Sequence, residues 1–181
     1  MKLSEDDGKR FYDLWLPLLD YVNERNGVNS RLRDLSLADH LDPNEVRKVS
    51  DVLWADTGVI DEYLNGAGGI SIRDKELIMS LKRCISGRFI LERILKKGAM
   101  LISIEDEKVY QVSGIISTWD EMFRYARLPL MIHATLIPFE DVIISDGLIQ
   151  TYNIIIGGNM ARSFKDVYML AKKNGMIHRQ L

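Results

Sequence analysis

Three carboxylates in "FEDVIISDGL", Glu140, Asp141 and Asp146, stand among apolar and β-branched residues. Hydrolysis by a pair of carboxylates needs both to face one cleft, with burial raising the pKa of one of them. Neighbouring residues of a strand point to opposite faces, so Glu140 and Asp141 would not share a cleft. Asp146-Gly147 suits the left-handed backbone of a two-residue hairpin loop. The spacing therefore predicts turns here rather than an acid and its base.

The other reactive side chains are scattered. His40, His133 and His178 show no i, i+4 or His-Glu spacing of the kind that puts two metal ligands on one helix face. His133, on an expected strand, would approach Glu140 across a hairpin and hold a metal, or serve a small enzyme with the acids after Pro138. A histidine held by an ordinary hydrogen bond is the alternative. Cys84 is the only cysteine, which excludes an intramolecular disulfide and a thiolate zinc site within one chain. It falls on the apolar stripe of an expected helix, near a C-terminus whose dipole opposes a thiolate.

Two glycine-rich stretches, "NGAGGIS" and "IIIGGNMARS", lack the spacing of a phosphate loop or a dinucleotide-binding turn. The second follows a strand and precedes a helix, so its backbone donors and Arg162 would form an anion cradle, or its glycines would serve the turn alone. Arg88, Arg93, Lys96, Lys97 and Lys108, with Tyr110 and Trp119, would make a base-stacking face, but Glu92, Glu105, Asp106 and Glu107 are interleaved with them. Accordingly no catalytic, cofactor-binding or metal-ligating residue is assigned.

Periodicity supplies the elements that must position these residues. Apolar residues at 11, 14, 15, 18, 19 and 22 predict an amphipathic helix ending near Asn26-Gly27, with a kink or break at Pro17. "VNSRLRDLSLADHL" reads as loop or short helix. Asp42, Pro43 and Glu45 give a strong start signal for a helix through "EVRKVSDVLW", "VIDEYLNG" a short helix, and Ser71 with Asp74 a cap before "KELIMSLKRCIS". From Arg88 the period changes to two. Three strands are expected before residue 116, the last two joined by a hairpin at Glu105–Lys108, then a short capped helix or turn in "STWDEMFRYARLP". Strands follow in "LMIHATLIPF", "DVIISDGLIQ" and "TYNIIIG", and Ser163 to Asp166 has the spacing to cap a helix ended by Gly175.

The fold class expected is α+β: a helical region over 1–87 packed on a small curved antiparallel sheet or SH3-like β-barrel, with a C-terminal helix, in 88–181. No linker-like stretch divides the halves, so one compact unit is expected. "FYDLWLPLLDYVN", "LKKGAMLISIEDEKVYQVSGI", "LIPFEDVIISDGL" and "AKKNGMI" resemble an uncharacterised bacterial family of small cytoplasmic proteins. That resemblance implies helices followed by strands and no activity.

With a formal net charge of −2 the chain does not favour a polyanion, and no segment approaches the length of a membrane span. A cytoplasmic location is expected, as is a non-enzymatic binding or protein-interaction module. Its partner would be another protein or a second copy of itself, with Trp15, Trp54 and Trp119 as candidate interface anchors, although the helical stripes of Trp15 and Trp54 favour a core role for those two. A small enzyme or metal-binding protein using His133 and the nearby acids is one alternative, and a nucleic-acid-binding β-barrel the other.

Overall fold

The computed structural model describes residues 1–32, 34–35 and 42–181. Most of "RLRDLSLADHL", and His40 with it, lies outside the described residues. The chain is α+β and forms two compact units, Glu5–Arg83 in one and Met1–Ser4 with Cys84–Leu181 in the other.

The first unit is helical. Helix α1 (Glu5–Asn26) begins six residues before the apolar stripe does, because Glu5, Asp6 and Asp7 complement the dipole of its first turn. It runs through Pro17 without a break, so of the kink or break expected there the break does not occur. Trp15 and Leu18 on either side of the proline are fully buried, and that packing holds the helix across the lost hydrogen bond. The buried stripe of α1 lies against α2 (Pro43–Ala55), which Asp42 caps by accepting from the Asn44 amide at 2.9 Å. Trp15 and Trp54 stack with their centroids 5.1 Å apart. Helices α3 (Val59–Gly66) and α4 (Ile72–Ser80) complete the unit, and Ser71 caps α4 as its spacing predicts, accepting from the Asp74 amide. Arg10 on α1 is tied to Asp74 on α4 at 2.7 Å.

The second unit is built on a seven-stranded mixed sheet: β1 (Ile85–Leu95), β2 (Gly98–Ser103), β3 (Val109–Ser113), β4 (Leu130–Phe139), β5 (Val142–Ser145), β6 (Gln150–Thr151) and β7 (Ile177–His178). It is not the wholly antiparallel sheet expected from hairpin-like spacing. β3 runs parallel to β5, because α5 (Trp119–Met122) and the loop around it reverse the chain between β3 and β4, and parallel to β7, which follows the C-terminal helix. β1 pairs with β2 along one edge and with β4 along the other. The ladders β1–β2–β3–β5–β4 therefore return to β1.

Strict alternation sorts the side chains. Phe89, Leu91, Ala99, Leu101, Tyr110 and Val112 face inward with Ile132, Ala134 and Leu136 to form the sheet's own core. Ile90, Met100, Ile102 and Val109 face outward, and helix α6 (Gly158–Lys173) covers them with Tyr168, flanked by Phe164, Val167 and Ala171. α6 starts well before the expected cap at Ser163, which lies inside the helix. Its N-cap is Gly157, and no side chain caps it. Its end follows the sequence signal: Lys172 and Lys173 occupy the last turn, and Gly175, at φ +68°, lets the Met176 amide reach back to the Ala171 carbonyl at 2.8 Å.

Candidate functional site

Two of the three acids, Glu140 and Asp141, are turn residues. Glu140 and Asp141 form the two-residue turn between β4 and β5, with Phe139 opposite Val142 and Glu140 at φ +47°. Asp146-Gly147 is no hairpin loop. β5 and β6 both run antiparallel to β4, Leu136 opposite Ser145 and His133 opposite Gln150, so residues 146–149 are a bulge along one interrupted strand. Two residues of β4 oppose those four. The carboxylate of Asp146 is buried and accepts from the Leu148 amide at 3.1 Å, while Gly147 takes φ +84°.

His133 lies on β4 between Arg88 of β1 and Gln150 of β6. Glu140 is seven residues further along, about 23 Å at the rise of an extended strand, so no hairpin brings the two together. Among the described residues no group of three or more His, Cys, Asp and Glu side chains is placed to hold a metal ion.

Cys84 is not on a helix. α4 ends at Ser80 and a single 3-10 turn (Leu81–Arg83) follows, because β1 begins at Ile85 and draws the chain into the sheet. Half-buried there, the thiol is pushed above its ordinary pKa, first by burial and further by the charge of Asp146.

The proposed base-stacking face is not assembled. Tyr110 and Trp119 are in the sheet's core, where Trp119 stacks on Phe123, so neither offers a ring to a base. That burial also removes Trp119 as an interface anchor, and Trp15 is buried too. Arg88 pairs with Glu105, Lys108 with Asp106 and Arg93 with Glu92. Lys96 and Lys97 form the β1–β2 turn.

What the sequence did not mark is a cleft of about 710 Å³ on the sheet unit. One wall is the stretch after α5: Phe123, Ala126, Arg127 and Leu128, passing through a cis peptide bond to Pro129 and Leu130. The other is Thr151–Ile156, with Gly158 and Ala161 of α6 at its end. Thr151–Ile156 falls in the stretch expected to be a strand, but pairing stops at Thr151. The Tyr152 amide makes one more bond to Met131, and the Ile154 amide closes back on the Tyr152 carbonyl at 2.9 Å. The chain then leaves β4, and among the described residues the amides of Asn153, Ile155 and Ile156 donate to no main-chain acceptor. Ile154 and Ile155 are left 50% and 87% exposed. Such a stretch, apolar and unpaired on its outer edge, is a template for another extended chain.

Arg127 is the single charged residue lining the cleft; it is exposed and enters no ion pair with another described residue. No acid occurs in 123–139 or in 147–165, the two stretches that supply the walls. The β-branched run at 154–156 was legible as β-like; its lack of a neighbour was not.

Comparison with models of protein families, with curated proteins and with solved structures finds no match for this chain. Among the described residues no helix is long and apolar enough to cross a membrane.

Proposed function

We propose that the protein is a non-enzymatic interaction module that holds an extended segment of a protein partner in the cleft between residues 123–130 and 151–161. The observation that carries this is the outer edge of Tyr152–Ile156, where free amides and two exposed isoleucines stand beside an apolar hollow. Main-chain groups left open on an edge give affinity to an added strand, and adjacent apolar pockets select its side chains. The volume lies within the range of sites that enclose a ligand. The return of β4 to β1 supports reading the curved sheet as a small barrel, a frame stiff enough to keep both walls in place. A cytoplasmic setting accords with a single thiol and no disulfide.

A second copy of the chain is the second reading for the occupant. Gln150–Ile156 contains no charged residue and no proline, the devices that keep natural edges from pairing with themselves.

Panning a phage-displayed library of linear dodecapeptides against the whole chain tests the proposal. Enriched peptides should lose at least tenfold in affinity to the variant Ile154→Asp/Ile155→Asp, whose altered side chains are exposed and leave the core untouched. Peptides indifferent to that variant would refute the cleft as the site. Light scattering decides the self-pairing reading: a dimer that the same variant dissociates supports it, and a monomer at high micromolar concentration removes it.

A further inference from the structure

We infer that the segment taken up by the cleft carries acidic side chains beside its apolar ones. This rests on the cleft reading above and adds the chemistry of the partner. The chain as a whole is slightly negative, yet the walls depart from that balance: residues 123–139 and 147–165 hold Arg124, Arg127, Arg162 and Lys165 and not one Asp or Glu. Arg127 is exposed on an otherwise uncharged lining, with no acid of its own fold as counter-ion among the described residues.

The opposite end of the cleft has the same sign. Gly158 lines it at the start of α6, where the N-cap is a glycine without a capping side chain and the first turn has no acid. The amides of that turn and the dipole behind them favour a negative group. The other helices show the contrast. α1, α2, α3 and α4 carry acids in their first turns, and α5 is closed by a capping box between Thr118 and Glu121. A guanidinium and an uncapped helix start on one lining leave a place for partner carboxylates, and the isoleucine edge that leads into that helix places apolar residues in the same segment.

The peptide pool selected above decides this by its composition and by a charge reversal. Enriched clones should combine Leu, Ile, Val or Phe with Asp or Glu. Their affinity should fall roughly tenfold on Arg127→Glu, as expected for loss of a charge-assisted contact, stay near the parent on Arg127→Lys, and weaken as salt is raised. Clones that need Ile155 but are neutral or basic, or ignore Arg127→Glu, overturn the acidic partner and leave the cleft reading intact. Clones that ignore Ile154→Asp/Ile155→Asp overturn both. Co-sedimentation with phosphatidylserine–phosphatidylcholine vesicles and not with phosphatidylcholine alone, in the absence of any selected peptide, overturns the inference in favour of a lipid surface.

Discussion

The guanidinium of Arg93 lies 4.0 Å above the ring of Tyr168, joining β1 to the helix that covers its outer face. A shift in register between Leu91 and Arg93 leaves Glu92 without a partner on β2 and sets Arg93 opposite Met100, and the Glu92 and Arg93 side chains pair. The carboxylate of Glu92 is only 7% exposed, so Arg93 serves it as counter-ion while stacking on Tyr168. Hydrogen bonding to Glu92 raises the Arg93 pKa, which keeps the cation in place at any working pH.

Tyr168→Ala should therefore cost about 3–5 kcal/mol, the range for deleting a buried aromatic side chain. Tyr168→Phe keeps the ring and should cost far less. Arg93→Ala should cost about 1–2 kcal/mol for the lost cation–π contact, and more because Glu92 is left without its cation. Urea unfolding measures all three, and equal losses for Tyr168→Ala and Tyr168→Phe would show that the ring is not what seats α6.

Glycine is required at Gly98 for two reasons and at Gly175 for one. Gly98 has φ +126° and an added Cβ would overlap the Val112 carbonyl, whereas Gly175 has φ +68° and open space around it. Gly175→Ala should cost about 1–2 kcal/mol from the left-handed backbone alone. Gly98→Ala should cost clearly more, because β2 or β3 must also shift. Thermal denaturation of the pair gives the order, and a larger loss for Gly175→Ala would contradict it.

The carboxyl of Asp74 is held below the usual carboxylate range, chiefly by the Ser71 hydroxyl and then by Arg10. Its folded pKa is depressed, so its contribution is present above the unfolded value near pH 4 and is lost as pH falls through the folded value. Partly exposed, the pair with Arg10 is worth no more than about 1 kcal/mol. Asp74→Asn should destabilise the helical unit at pH 7 by about that much, with the difference from the parent vanishing towards pH 2. A gap unchanged across that range would show that charge is not the cause.

Cys84 should be a slow nucleophile. Burial and the Asp146 charge both raise its pKa, leaving little thiolate at neutral pH. Iodoacetamide at pH 8 should alkylate the folded protein several-fold more slowly than the urea-unfolded chain, and Asp146→Asn should narrow that gap. Faster labelling of the folded state would point to an activated thiol.

Much of this was legible from spacing. The caps at Asp42 and Ser71, the hairpin before Val109 and the stop at Gly175 rest on local chemistry, and local chemistry decided them. The departures arise where a distant neighbour overrules it. Pro17 stays helical because of what packs beside it, Cys84 leaves its stripe because β1 begins at once, and the parallel pairing of β3 with β5 depends on how far α5 carries the chain. Glu140 and Asp141 were readable as a turn, but the place of Asp146 was not: Asp-Gly is a hairpin signal, and only the continuing ladder on β4 makes it a bulge. The cleft left no motif, since an edge is defined by the strand it lacks.

The first residues carry one more implication. Lys2 bridges to Gly114, the Leu3 amide donates to the Gly114 carbonyl, and the Lys2 ammonium reaches the Ile116 carbonyl at 2.7 Å, while Glu5–Arg83 forms a unit of its own. During synthesis the helices emerge and can fold long before their leading end finds its place, which does not exist until residue 114 has left the ribosome. The stitch at the leading end of the helical unit thus waits on residues made well after its trailing end at Arg83.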